Sequence, residues 1–114
     1  MTRILVAMAS RRPYDIIYDT AVVQHLRTIE RRYHGLIRTT IAEQLRFTPL
    51  VETRNRKPLT PPGSFGARWE LRCGPQNRFR IFYHVLEDRQ QVQILAIGVK
   101  ERARLFIGGE EIEL

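Results

Sequence analysis

The chain has 114 residues, of which 43% are hydrophobic, and a formal net charge of +7. Its length suits one domain with a core of its own. No apolar run approaches the roughly 18 residues of a membrane-spanning helix, and the single cysteine, Cys73, excludes a disulfide framework and a clustered cysteine metal site. We therefore predict a cytoplasmic protein with no membrane partner.

Positive charge is concentrated in the middle of the chain. Residues 46–80 hold eight basic and two acidic side chains, a net charge of +6, while the rest of the chain sums to +1. Of the 19 basic residues two are lysines, which leaves 17 arginines, and a guanidinium matches a phosphate bidentately. This concentration predicts a polyanionic partner. A codon bias toward arginine is the alternative, although it does not explain the clustering.

A strand and two helices are predicted for the first part of the chain. Residues 14–18 alternate like a strand, and Asp19-Thr20 can cap a helix. Apolar residues at helical spacing over 22–33 predict one amphipathic helix, which puts His25 on its surface and breaks at His34-Gly35. A second helix follows, and the two form a helical hairpin on a flat surface. The buried face of the second helix carries Ile37, Ile41 and Leu45.

The remaining boundaries are set by composition. Residues 1–13 are predicted as an N-terminal extension, either an extra strand or an arm, and residues 14–114 as a single domain. Residues 48–66 contain four of the six prolines and two glycines, so they are predicted as a long loop without helix or central strand. Its segment 52–57 forms a basic tip. Residues 110–113 resemble a solvated tail.

Three strands are predicted after the loop, over 67–73, 78–85 and 92–100. A four-residue turn in the first hairpin would pair Leu71 with Arg80. A loop with an odd count, for instance residues 74–78, pairs Arg72 with Arg80 instead. The odd loop keeps the apolar residues on one face, so we predict that register. The open face away from the helices then carries Arg68, Glu70, Arg72, Arg80, Phe82 and His84.

The predicted register places two arginines directly opposite each other, where they would repel. A fold tolerates this repulsion most readily when an anion sits between them. The alternative is that Glu70 and Glu87 neutralise the pair.

Several chemistries are excluded by the absence of their motifs. The chain has no GxGxxG or P-loop motif, its three histidines lack ligand-like spacing, and Cys73 is predicted as a core thiol. We predict neither a metal nor a cofactor. What remains is a cluster of arginine and lysine with Tyr83 and His84 nearby. Such a cluster suits RNA cleavage by the RNA's own 2′-OH, and it suits plain binding to a nucleic-acid backbone equally well.

The order β-α-α-β-β-β, with the segments 69–72 (WELR), 79–83 (FRIFY) and 94–100 (ILAIGVK), resembles the RelE/ParE superfamily of bacterial type II toxins. The stretch 52–59 (ETRNRKPL) is similar to its RelE-like cytotoxic translational repressors. The resemblance covers residues 14–107. It implies a two-layer α+β fold with the helical hairpin on a mostly antiparallel sheet.

The resemblance also implies a function, that of a ribosome-dependent mRNA endoribonuclease that inhibits translation. Its partners would be a cognate antitoxin, mRNA and the ribosomal A site, with no small-molecule cofactor. The residues that match the family's catalytic positions are Arg72, Arg80 and Lys100. The residues expected to bind nucleic acid are Arg54, Arg56, Lys57, Arg68, Arg78, Tyr83, His84 and Arg102.

Two positions depart from the family pattern. Lys100 stands where the family has an arginine, and Phe106 aligns with a C-terminal tyrosine, so the hydroxyl is absent. This departure keeps two alternatives open within the fold, a ParE-like inhibitor of DNA gyrase and a catalytically degenerate member that only binds nucleic acid or the ribosome. A third is a small RNA- or ribosome-binding protein without toxicity.

Overall fold

The computed structural model describes residues 12–113, which form two helices and a seven-stranded sheet. Of the predicted extension over residues 1–13, all but Arg12 and Pro13 lie outside the described residues. Within residues 12–113, no helix is long and apolar enough to cross a membrane. The elements in chain order are β1 (Asp15–Tyr18), α1 (Ala21–Arg27), α2 (His34–Leu45), β2 (Arg56–Pro58), β3 (Trp69–Cys73), β4 (Phe79–Leu86), β5 (Gln91–Glu101), β6 (Arg104–Ile107) and β7 (Glu110–Ile112).

The sheet is mostly antiparallel, as predicted. Six strands are hydrogen-bonded in the order β2-β3-β4-β5-β6-β7, and each neighbouring pair is antiparallel. The remaining strand, β1, pairs in parallel with the first part of β5. The strand β5 therefore has partners on both sides, with β4 on one side and β1 and then β6 on the other. This central position explains its nearly continuous apolar sequence.

The helices break earlier than the sequence predicted. The helix α1 ends at Arg27, where the Thr28 hydroxyl donates a hydrogen bond to the carbonyl of His25 and competes with the helical pattern. Glu30 then adopts an extended backbone conformation. His34 and Gly35, predicted to separate the helices, instead begin α2. The prediction that His34 ends a helix is therefore also wrong.

The main core lies between the helices and the sheet. Ile37, Ile41 and Leu45 are fully buried, which confirms the predicted face of α2. They belong to one apolar cluster with Phe79 and Tyr83 of β4 and other strand residues. Burial of each such side chain contributes about 1.5–3 kcal/mol.

The hairpin between β3 and β4 has the predicted register. Arg72 pairs with Arg80 and Trp69 pairs with Tyr83, across a connection of residues 74–78. Gly74 has a φ of 81°, a left-handed conformation that glycine adopts without steric cost. A Cβ at this position would also collide with the ring of Phe79.

Three strands were not predicted from the sequence, namely β2, at the sheet edge within the predicted loop, and β6 and β7 after the last predicted strand. The two-residue turn Gly108-Gly109 has positive φ at both positions, so residues 110–112 pair with β6 and do not form a tail. At Gly98, an added Cβ would lie 3.0 Å from the side chains of Leu105 and Ile107, so the glycine permits β6 to pack closely. The result is a second apolar cluster, made of Ala67, Phe82, Ala96, Leu105 and Ile107.

This second cluster corrects the expectation of an open face. Phe82 and Glu70 were predicted on that face, but they are 5% and 7% exposed. The β6–β7 hairpin covers part of the face, and what remains is a groove.

Candidate functional site

The groove on the face opposite the helices has a volume of about 500 Å³ and holds four of the nine arginines and lysines that were predicted for the site. We call it the basic groove. It contains all three predicted catalytic residues and one residue of the predicted basic tip. Its charged lining residues are Lys57, Glu70, Arg72, Arg80, Lys100 and Glu113.

Glu70 bridges the arginine pair at the centre of the groove. Its Oε1 atom accepts a hydrogen bond of 3.1 Å from Nε of Arg72 and lies 3.6 Å from Nη1 of Arg80. One carboxylate thus screens two guanidiniums that the strand register holds opposite each other. This outcome agrees in part with the alternative that Glu70 and Glu87 neutralise the pair, because Glu70 lies within salt-bridge distance of both arginines and offsets one of their two charges. The second acid of that alternative, Glu87, is exposed and lies in the turn after β4.

Two lysines flank the arginine pair. Lys57 pairs with Glu70 across β2 and β3. Lys100 lies on β5, and its backbone N–H donates to the carbonyl of Arg78, the residue just before β4 and two residues before Arg80. The order of the strands therefore spreads the four cations across the groove, from β2 to β5.

Arg80 is more enclosed than Arg72, with 11% of its side chain exposed against 33%. Burial lowers the pKa of its guanidinium, Glu70 opposes that shift, and Arg72 adds to it. Its Nε also donates to the carbonyl of Asn77. Because water is largely excluded around Arg80, its attraction for an anion is stronger than that of an exposed arginine.

Apolar side chains form the walls beside these charges. On one side they come from the loop that follows β2, and on the other from the β6–β7 hairpin. The apolar lining residues are Leu59, Pro61, Pro62, Phe82, Leu105 and Ile112. A groove with cations on its floor and apolar walls suits an anionic group attached to a less polar body, such as a nucleotide.

Two residues of the predicted nucleic-acid surface are structural. Arg56 is 6% exposed, and its Nη1 donates to the carbonyls of Gln44 and Thr48. Tyr83 is fully buried, and its hydroxyl donates a 2.7 Å hydrogen bond to the carbonyl of Pro49. Neither side chain presents a surface on which a nucleic acid could bind, because both are used to hold the loop after α2.

The other predicted nucleic-acid-binding residues lie outside the basic groove. Arg54 and Arg68 are exposed near β2 and β3, and Arg102 is exposed in the turn after β5. The guanidinium of Arg78 lies 5.7 Å from the ring centre of Tyr33, on the helix side of the sheet. His84 is four residues from Arg80 along β4, a distance of about 13 Å.

Phe106 also lies away from the groove. It lines a separate cavity on the helix side, together with Ile29 and Phe79. A hydroxyl on this ring would thus point away from the arginine pair.

His25, predicted on a helix surface, is 6% exposed, and its Nδ1 accepts a hydrogen bond from the backbone N–H of Ile97. That prediction is wrong.

The remaining reactive side chains are the Cys73 thiol and the acidic residues. Burial raises the pKa of the Cys73 thiol to about 11, as expected for a core thiol. Among the described residues, no three His, Cys, Asp or Glu side chains form a group that could hold a metal ion. The important residue that the sequence analysis did not assign to the site is Glu70. The signal was available, because Glu70 and Arg72 are two positions apart on one strand and share a face.

A comparison with solved structures supports the fold. No family model and no curated protein sequence matches the chain. A chain in the crystal structure of the toxin–antitoxin complex RelBE2 from Mycobacterium tuberculosis is similar in structure, with a TM-score of 0.58 and 23% identity. The match covers 81% of this chain and 94% of the other. The likeness confirms the α+β fold that the resemblance to RelE implied.

Proposed function

We propose that this protein is the toxin of a bacterial type II toxin–antitoxin pair and that it cleaves mRNA in the ribosomal A site. The observation that carries the proposal is the basic groove, in which Arg72, Arg80, Lys57 and Lys100 lie together. The fold that it shares with a chain of the RelBE2 toxin–antitoxin complex supports the same assignment.

The proposed chemistry uses the 2′-OH of the RNA as the nucleophile. Its oxygen attacks the adjacent phosphorus, the bond to the 5′-oxygen breaks, and a 2′,3′-cyclic phosphate and a 5′-OH result. Arg72 and Arg80 would hold the non-bridging oxygens of the phosphate, where negative charge grows in the transition state. Fixing the phosphate in line with the attacking oxygen contributes further.

The proposed partners follow from the charge of the groove. A cognate antitoxin with an acidic segment could cover the four cations and block access of RNA, whose phosphates are held by the same attraction. The ribosome would present the mRNA, since the groove is short relative to an RNA chain. The site of action would be the cytoplasm.

A second candidate function is binding without cleavage, as in a gyrase inhibitor or a degenerate family member. One observation favours it. Glu70 already occupies both arginines, so a phosphate must share or displace that carboxylate. The test is a reconstituted translation reaction with the purified protein, in which mRNA ends are mapped by primer extension. Cuts at A-site codons support the nuclease, and their absence favours the binding protein.

A further inference from the structure

We propose that Glu70 is the general base of the cleavage reaction and that Lys100 is the general acid on the opposite side of the phosphate. This inference rests on the proposed function and assigns the two proton transfers within it. It gives Glu70 a part in the reaction besides that of screening the arginine pair.

The first support is the placement of Glu70 beside the phosphate-binding guanidiniums. Its Oε1 lies 3.1 Å from Nε of Arg72 and 3.6 Å from Nη1 of Arg80. A phosphate that shares the two guanidiniums with Glu70 would therefore lie next to this carboxylate. The Glu70 side chain is 9% exposed, and the arginines fix its position, which suits a group that must accept a proton from one hydroxyl.

The second support is the strand register, which puts Glu70 and Lys100 on either side of the arginine pair. Arg72 and Arg80 form one cross-strand row on β3 and β4. Glu70 lies two residues before Arg72 on β3, in the neighbouring row. Lys100 lies on β5 in the row on the far side, because its N–H bonds to the carbonyl of Arg78. Displacement at phosphorus needs the attacking and leaving oxygens on opposite sides, and the diagonal from Glu70 to Lys100 supplies a proton acceptor and a donor there.

The third support is the position of the other candidate groups. Lys57 pairs with Glu70, so it lies on the same side of the arginine pair as the base. The Tyr83 hydroxyl is buried against Pro49. Phe106 lines a cavity on the helix side, and His84 lies about 13 Å along the strand from Arg80.

Glu70 and Lys100 together account for both proton transfers of the reaction. The Glu70 carboxylate takes the proton of the 2′-OH as the oxygen forms its bond to phosphorus. The bond between phosphorus and the 5′-oxygen breaks, and that oxygen keeps the electron pair and takes a proton from the Lys100 ammonium. Exchange with water then returns one proton from Glu70 and restores one to Lys100, so nothing is oxidised or reduced.

The test is single-turnover cleavage of mRNA on preassembled ribosome complexes, measured across pH for the wild type, Glu70→Gln and Lys100→Gln. Glu87→Gln is the matched control, because it removes one exposed carboxylate outside the groove. Binding is measured in parallel on complexes that carry a 2′-deoxynucleotide at the cut position. Thermal unfolding shows that each variant is folded.

We expect Glu70→Gln to cleave about 100-fold more slowly or worse, to bind at least as tightly as the wild type, and to lose the decline in rate at low pH. Lys100→Gln removes the ammonium group and has no titrating proton to give, so it should lose far more in cleavage rate than in binding and should lose the decline at high pH. Glu87→Gln should match the wild type.

Three results would overturn the assignment. Glu70→Gln could cleave at the wild-type rate, which would leave the carboxylate only a screening role. Cleavage and binding could fall together, which would make Glu70 a positioning residue for the arginines. If Glu70→Gln does not fold, a wild-type rate without a decline at low pH contradicts the base instead. A wild-type protein that never cuts mRNA refutes the proposed function itself. The wild-type reaction therefore distinguishes failure of the proposed function from failure of the Glu70 assignment.

Discussion

Arg72 and Arg80 stand directly opposite each other on neighbouring strands, and one oxygen of Glu70 lies within salt-bridge distance of both. A single carboxylate cannot neutralise two guanidiniums, so the pair keeps a net charge of +1. Over the whole groove, four cations and two carboxylates leave +2. Glu70 therefore reduces the repulsion between Arg72 and Arg80 that this strand register creates. The remaining positive charge of the groove is available to bind an anion.

The buried arginine of the predicted basic tip should behave as a structural residue. Arg56→Ala removes hydrogen bonds to the carbonyls of Gln44 and Thr48, which would lose their side-chain donor. We expect a loss of about 3 kcal/mol in the free energy of unfolding. The matched control Arg54→Ala removes an exposed arginine two residues away and should change stability by less than about 0.5 kcal/mol. Urea unfolding measures both, and equal losses would contradict this role for Arg56.

Tyr83→Phe separates a structural tyrosine from one that binds nucleic acid. The change removes the hydroxyl that donates to the carbonyl of Pro49, and we expect a loss of stability of about 1–2 kcal/mol. Affinity for RNA should not change, because the ring is fully buried. The pair of measurements is thermal unfolding and RNA titration. A variant with wild-type stability and weakened RNA binding would show that the assignment is wrong.

His25 should make stability fall in mild acid. Burial lowers its pKa below the ordinary 6.5, with Asp19 opposing the shift, and its Nδ1 must stay unprotonated to accept from the N–H of Ile97. The contribution of this residue is therefore complete above about pH 6.5 and is lost as the pH falls through the lower pKa of the folded state. Melting temperatures measured from about pH 7.5 to pH 5 should decline less for His25→Gln than for the wild type. Parallel declines would exclude this origin.

Restoring the missing hydroxyl at residue 106 should not restore a catalytic group. The ring of Phe106 lines a cavity on the helix side and not the basic groove, so the hydroxyl of Phe106→Tyr would be remote from the phosphate. Single-turnover cleavage by this variant should equal that of the wild type. A clear gain in rate would mean that residue 106 reaches the groove during the reaction.

Local patterns in the sequence predicted the layers of the fold well. The face of α2 and the pairing of Arg72 with Arg80 follow from spacing and from the requirement that apolar residues share one face. The helix break was misplaced because Gly35 was treated as a terminator, whereas the side chain of Thr28 and the backbone of Glu30 end the first segment.

The covering of the sheet's second face could not be predicted from the strands alone. The β6–β7 hairpin packs there through contacts distant in sequence, such as those of Phe82 with Leu105 and Ile107. The same packing decides which cations share a groove. Arg56 and Arg78 have the right charge, but one is held by the carbonyls of Gln44 and Thr48 and the other by the ring of Tyr33. Composition cannot distinguish such arginines from Arg72 and Arg80.

The measurement that tests the central claim most directly is primer extension on mRNA from a reconstituted translation reaction, with the wild type and Arg72→Ala compared. About a third of the Arg72 side chain is exposed, so its loss should leave the fold intact, which thermal unfolding checks. Naked RNA is the parallel control. We predict cuts at A-site codons only on translating ribosomes, reduced by about 100-fold or more in the variant. Equal cutting by a folded Arg72→Ala protein, or no cutting by the wild type, would contradict the proposed nuclease site.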